Sequence, residues 1–241
     1  MFDGQRWWIV GASEGLGRAL AQHMDRRGAR LILSARNRDR LETLAGSLRQ
    51  ATALPLDVTD SADVARAVSR AGLVDGVIYC VGQYDPMTAQ DWNAEQAERM
   101  CEANFTGAVR VLGRVVPDMA RRDSGMVVLI GSLAGYAGLP GAIGYGASKA
   151  ALMHLAENIQ ADLRGTGVRV RLVNPGFIRT RLTEKNSFDM PFIVSPEQAA
   201  EKVLRAIEGR RFATAFPTVF SWLFRGGRFL PRDLFLRLFP R

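Results

Sequence analysis

Tyr145 and Lys149 lie four residues apart in a segment that reads as helix, Tyr145-Gly-Ala-Ser-Lys-Ala-Ala-Leu. At that spacing both side chains fall on one face and can share a site. A free phenol titrates near about pH 10. A neighbouring ammonium stabilises the phenolate, so Lys149 is expected to lower the Tyr145 pKa and let it act as an acid or base near neutrality. Ser132 arrives from elsewhere. The apolar run Met126-Val-Val-Leu-Ile130 is that of a strand buried on both faces, and Gly131-Ser132 ends it. That puts Ser132 at a strand's carboxyl end, the edge where open α/β sheets form their ligand crevice. Its hydroxyl can hold a substrate carbonyl while Tyr145 supplies a proton, provided that residues 133–142 fold back. Such a helical pair also arises by chance, so its meaning rests on the elements around it.

Those elements alternate. Arg6-Trp-Trp-Ile-Val10 reads as a strand, followed by the glycine turn Gly11-Ala-Ser-Glu-Gly15-Leu-Gly17 and a helix. Strand, glycine turn, helix is the context of a dinucleotide site, with the pyrophosphate drawn to the helix amino terminus. A second strand, Arg30–Ala35, ends in Arg36 where a ribose-binding acid would stand. A guanidinium there favours a 2′-phosphate, hence NADP over NAD. Glu14, a carboxylate in the glycine loop, counts the other way by repelling that phosphate. Ala53–Leu56 reads as the third strand. Its exit residue Asp57 either accepts from an adenine amino group or caps the helix near Ser61. Val74–Gly82 reads as the fourth strand, with Gly82 letting the backbone pass close to a cofactor. Residues 91–121 read as one long helix carrying Asn104, a poor mid-helix residue that fits a distorted turn binding a water. After the helix to about Leu163, Val168–Val173 is a sixth strand. It is closed by Asn174-Pro175-Gly176, a turn suited with Thr180 to hold a carboxamide and a phosphate. The order implies an α/β fold, a doubly wound parallel sheet.

Composition bounds the class. The chain of 241 residues is 47 % hydrophobic and 23 % charged, enough for one globular domain with a large core. Cys80 and Cys101 have no metal-ligand spacing and read as reduced thiols of a cytoplasmic protein. His23 and His154 sit far apart in helical patterns, so no metal site and no Ser-His-Asp triad is expected. The net charge of +8 is uneven: residues 205–241 alone carry a net +6. The body is near neutral, which argues against a nucleic-acid partner.

With these pieces in order the chain resembles the classical short-chain dehydrogenase/reductase family over about residues 5–205. The resemblance rests on Gly11-x-x-x-Gly15-x-Gly17, Asp57-Val58, Asn104, Ser132, Tyr145-x-x-x-Lys149 and Pro175-Gly176-x-x-x-Thr180. It implies a Rossmann-type domain over 1–210 that passes a hydride between nicotinamide C4 and a carbonyl or alcohol carbon. Tyr145 would be the acid or base, Ser132 the carbonyl ligand, Lys149 the ribose ligand and Asn104 the seat of a relay water. The implied cofactor set is Gly11, Ser13, Glu14, Gly15, Leu16, Gly17, Arg36, Asp57, Val58, Val81, Gly82, Tyr145, Lys149, Pro175, Gly176, Ile178 and Thr180. Assembly as a homodimer or homotetramer through the helices around 95–121 and 145–163 follows from the same resemblance. Val10 stands where the family often has threonine. Tyr79-Cys80-Val81-Gly82 replaces its Asn-Asn-Ala-Gly, so side-chain bonds bracing the central strand are expected to be missing.

The substrate loop falls at 181–195, where Phe188, Met190, Phe192 and Ile193 suggest a small apolar carbonyl or alcohol substrate. Beyond it, Ser195 caps a helix opened by Pro196. From Phe212 onward the family's closing strand is not recognisable. Residues 211–241 read as a basic, aromatic extension whose arginines interrupt every apolar run well short of the roughly 20 residues of a bilayer span. It either packs on the enzyme's own pocket or a second subunit, or lays Trp222, Phe224, Phe229, Phe235 and Phe239 in lipid as a weak peripheral membrane contact. Two other functions stand beside the oxidoreductase. One is a non-catalytic nucleotide-binding scaffold using the tail as its partner surface. The other is epimerase or dehydratase chemistry, disfavoured by the lack of a second substrate domain.

Overall fold

The computed structural model describes residues 1–185, 189–227, 229 and 231–237, with only the backbone at Arg232. Phe188 and Phe239, named above for substrate and lipid contact, lie outside these residues.

Seven strands form one parallel sheet in the order β3-β2-β1-β4-β5-β6-β7. They are β1 Arg6–Val10, β2 Arg30–Ser34, β3 Ala51–Ala53, β4 Gly76–Tyr79, β5 Gly125–Ile130, β6 Val168–Pro175 and β7 Ala213–Phe216. Alternation along β1 sends Trp7 and Ile9 into one core and Trp8 and Val10 into the other. Both faces are covered, which is why the strands read as unbroken apolar runs. Helices α1 (Gly15–Arg26), α2 (Arg38–Gly46) and α7 (Pro196–Glu208) cover one face. Helices α3 (Ser61–Ala71), α5 (Gly107–Arg121) and α6 (Ile143–Asp162) cover the other. The chain builds β1, β2 and β3 outward and then crosses back to β4 beside β1. The switch point therefore opens at the carboxyl ends of β1 and β4.

Several boundaries differ from the sequence reading, each for a local reason. β3 ends at Ala53, yet the Leu54 and Leu56 amides still donate to Leu33 and Ala35; Pro55 between them has no N–H to give. β4 is shorter than Val74–Gly82. Asp60, not Asp57, caps α3, accepting from Ala62 and Asp63. β6 continues through Asn174 and Pro175 because β7 pairs with them. The stretch 91–121 is three pieces: α4 (Ala94–Cys101, capped by Asn93), a π-turn at Glu102–Thr106, and α5. The closing strand that the sequence hid is β7. It is followed by α8 (Thr218–Gly227) and α9 (Arg232–Leu236). Among the described residues no helix is long and apolar enough to cross a membrane.

Candidate active site

Ser132 leaves β5 with extended backbone, and its Oγ accepts from the Ala134 amide at 3.1 Å, capping the single 3-10 turn Leu133–Gly135. A Cβ on Gly135 would collide with the Met153 sulfur and the Lys149 backbone, so glycine is what lets this turn close onto α6. Tyr136 Oη accepts from Asn174 Nδ2 at 2.8 Å and ties the loop to β6. Residues 133–142 thus fold back as required, and the Ser132 side chain hydrogen-bonds Tyr145. Lys149, one turn on, donates from Nζ to the carbonyls of Ile130 (3.0 Å) and Val81 (3.2 Å). Its ammonium lies 5.8 Å from the Tyr145 ring centroid, and Tyr84 meets the same ring edge-on at 5.1 Å.

The electrostatics of this cluster correct one expectation. Burial pushes the Tyr145 phenol above its usual value, opposed by the Ser132 hydrogen bond and aided by Tyr84 and Cys80. Lys149 does not lower it in the protein alone, because the ammonium faces backbone carbonyls and the ring rather than the phenol oxygen. The lysine itself is brought down to about 8 by burial, with Cys80 the opposing influence. Burial in turn raises the Cys80 thiol to about 12.

Asn104 is fully buried at the centre of the π-turn. Its Oδ1 accepts from the Gln83 amide at 2.7 Å, and its Nδ2 donates to the Gln83 carbonyl (2.9 Å) and to Ser148 Oγ (3.0 Å). Ser148 Oγ donates to the Tyr145 carbonyl. Both amide hydrogens are committed, so a relay water would have no side-chain donor left on Asn104. The π-turn is held by Tyr79, whose hydroxyl donates to the Ala103 carbonyl at 2.5 Å. The bracing expected to be missing after β4 is therefore supplied by a different residue. Asn104→Ala leaves the half-buried Gln83 amide without its partner. It is expected to cost about 1–3 kcal/mol in chemical denaturation and to lower turnover; an unchanged midpoint would show that the Gln83 contacts carry no stability.

A cleft of about 450 Å³ opens over the glycine turn at the switch point. Of the residues assigned to a cofactor by resemblance, every one lines it, as does Ser132; Asn104 does not, and Ala103 takes its place. Gly17 approaches the Gly11 carbonyl too closely for any Cβ, and α1 starts with no side-chain cap, leaving its first amides to a ligand. These features fit a dinucleotide. Glu14 does not stand as a free repelling charge: Oε2 pairs with Arg40 at 2.6 Å and Oε1 with Arg181 at 2.7 Å. With Arg36 also lining the cleft, that end is net cationic. Neither Arg40 nor Arg181 was picked out from the sequence, Arg181 entering only as the start of the 181–195 loop. Tyr84 was missed as well, although its place just past β4 obeys the crevice-edge rule.

A second, apolar cavity of about 130 Å³ adjoins the first, walled by Tyr84, Leu133, Leu139, Phe177, Phe220 and Phe224 and by Ser132 and Tyr145. Two of its five aromatic residues, Phe220 and Phe224, come from α8, so the inner side of the tail belongs to the site. Phe224 and Phe235, for which the sequence left packing and lipid contact as alternatives, are buried in one cluster with Leu133 and Ala137. Met190, Phe192 and Ile193 do not line this cavity; Phe192 packs on Phe220 instead. Two ion pairs fasten the 181–195 loop across the clefts, Arg181 to Glu14 and Lys185 to Asp85 at 2.6 Å.

A doubly wound sheet with a long cleft at its switch point, flanked by a serine, a tyrosine and a lysine, defines a nucleotide-dependent oxidoreductase in outline. Residues 6–190 match the profile of the short chain dehydrogenase family, and the chain belongs to that family. It is thereby an NAD(P)-dependent oxidoreductase. An uncharacterized oxidoreductase of Myxococcus xanthus is 36 % identical, covering 94 % of this chain and 93 % of that protein. A short chain dehydrogenase from Burkholderia cenocepacia, solved in complex with NADP, superposes with TM-score 0.89 at 26 % identity over all of both chains. One from Sphingobium yanoikuyae, in complex with NADPH, gives 0.85 at 28 % identity, covering 95 % of this chain and 94 % of that one.

Proposed function

We propose that the protein moves a hydride between NADP, preferred over NAD, and the carbonyl or alcohol carbon of a small apolar substrate. The observation that carries this is that Ser132 and Tyr145 line both cavities at once, the long polar cleft and the apolar pocket. Their hydroxyls stand where two ligands meet. When bound, the cofactor supplies or accepts the hydride. Within the chain, Ser132 Oγ holds the substrate oxygen, and Tyr145 gives it a proton as a carbonyl is reduced or takes one as an alcohol is oxidised. Lys149 has three N–H donors and two carbonyl partners; the third is free for a ribose hydroxyl, and that contact would turn the ammonium toward the phenol. Asn104 acts as a positioning residue, holding Ser148 and the Gln83 backbone in register with Tyr145. Neutral walls around the second cavity favour an uncharged, apolar substrate.

The cofactor residues divide by chemistry. Gly11, Ser13, Gly15, Leu16 and Gly17 present the glycine turn to the pyrophosphate, Asp57 and Val58 flank the adenine, and Val81 and Gly82 run alongside. Pro175, Gly176, Ile178 and Thr180 receive the nicotinamide end. Arg36, with Arg40 beside it, is the 2′-phosphate ligand, and the NADP and NADPH bound in the relatives named above support that preference. Arg36→Ser is expected to lower kcat/KM for NADPH by about 10–100-fold, the worth of a charged hydrogen bond, and to leave NADH unchanged. Equal losses with both cofactors would remove the 2′-phosphate assignment. A homodimer or homotetramer through α4, α5 and α6 is part of the same reading; a monomer mass by light scattering would withdraw it.

A further inference from the structure

We propose that the outer face of α8 and α9 docks on an anionic lipid surface, holding the mouth of the apolar pocket against the bilayer. α8 is two-sided. Phe220 and Phe224 face inward to the pocket, while Val219 and Trp222, three apart and so neighbours on the helix surface, are 77 % and 65 % exposed. Phe229, between the two helices, is 91 % exposed, and Leu234 and Leu236 on α9 are exposed as well. Large apolar side chains left in water on consecutive elements mark a contact surface. Neither helix is long enough to cross a bilayer, so the contact is interfacial.

Charge selects the occupant. Residues 212–241 carry five arginines and a single acid, Asp233, on a body otherwise close to neutral. Two copies of this face meeting about a twofold axis would bring the exposed Arg225 and Arg237 of each copy together, with Asp233 the one acid of the segment to pair them. An anionic headgroup layer complements them, and tryptophan and phenylalanine beside arginine is the composition such a layer receives. The face is also continuous with the pocket. Phe192, 62 % exposed, packs on Phe220 at 5.8 Å between ring centroids, and Phe220 packs on Phe224 at 5.0 Å. This row of rings leads from the surface to the cavity that holds Ser132 and Tyr145. Delivery of an apolar carbonyl compound along it rests on the oxidoreductase reading above; the lipid contact does not.

The test is co-sedimentation of the full chain with phosphatidylcholine vesicles, with and without phosphatidylglycerol, at low and high salt, for wild type and the double variant Trp222→Ser/Phe229→Ser. Neither residue lines either of the two cavities described above, so the variant should keep the wild-type melting temperature and NADPH turnover. Wild type is expected to bind the anionic vesicles about tenfold or more tighter than the neutral ones and to be released by salt. The double variant should lose about tenfold or more. Failure to bind anionic vesicles, or equal binding by the double variant, overturns the proposal. So does a double variant that breaks a wild-type dimer while vesicle binding stays the same, since the face then belongs to a second copy. Vesicle binding without turnover of any ketone would strike the apolar carbonyl substrate proposed above and leave the lipid contact standing.

Discussion

Tyr145→Phe is expected to bind NADPH as the wild type does and to lose turnover by about 10²–10⁴-fold, the usual worth of a positioned acid or base. The substitution removes one oxygen and keeps the ring that packs on Tyr84 and lies beside Lys149. Its structural cost is one hydrogen bond with Ser132, about 1 kcal/mol, partly offset because the phenol is desolvated where it stands. The direction of its titration adds a second signature. Burial raises the phenol above its ordinary value, so Tyr145 stays protonated through neutral pH in the protein alone. Carbonyl reduction, which needs the phenol as acid, should be flat across neutrality. Alcohol oxidation, which needs the phenolate, should rise with pH. Stopped-flow NADPH binding and steady-state turnover on a panel of apolar ketones and aldehydes decide the matter. A phenylalanine variant that keeps most of its turnover would disqualify Tyr145. A wild type that binds NADPH tightly and reduces nothing would favour the scaffold reading instead.

The fold and the catalytic-type cluster were legible for the same reason. A parallel sheet needs strands buried on both faces, and those read as continuous apolar runs whose ends are the crevice edge. Ser132, Gly82 and Pro175 are each found at such an end without any knowledge of the third dimension. What stayed hidden depends on pairing across the chain. Glu14 looked like a repelling charge because its partners lie 26 and 167 residues away. β7, Ala-Thr-Ala-Phe, is too short and too small-sided to announce itself, and it forms because β6 offers it an edge. Tyr79 read only as the loss of an asparagine; its replacement of the brace depends on the π-turn 24 residues on. The tail read as either pocket wall or surface because a helix pattern does not say which face is covered, and α8 covers one and exposes the other.

Lys149→Met is expected to be nearly inert, with turnover down about 10²-fold or more, because it removes the charge that would steady a Tyr145 phenolate once a ribose hydroxyl is in place. Its stability is the sharper measurement. At neutral pH two effects oppose: the variant no longer buries an ammonium, but the Ile130 and Val81 carbonyls lose a donor, at about 1–3 kcal/mol each if left unpaired. The unfolding midpoint there should move little. The pH dependence separates them. Lys149 falls from the ordinary 10.5 to about 8 in the folded protein. Below about 8 both folded and unfolded chains carry the proton, and the burial penalty is fully present. Between about 8 and 10.5 the unfolded chain still holds a proton that the folded chain has lost, so this lysine makes stability rise with pH, by about 3 kcal/mol across the window. Cys80 works in the opposite sense. Its thiol is raised from 9.0 to about 12, so above about 9 the unfolded chain loses a proton that the folded chain keeps, and stability falls. The absolute curve therefore mixes the two, and the quantity to follow is wild type minus Lys149→Met, in which the thiol largely cancels. That difference should climb from about pH 8 upward. A flat difference would mean that the lysine stays charged in the folded protein, with its two backbone carbonyls sufficing to hold the ammonium.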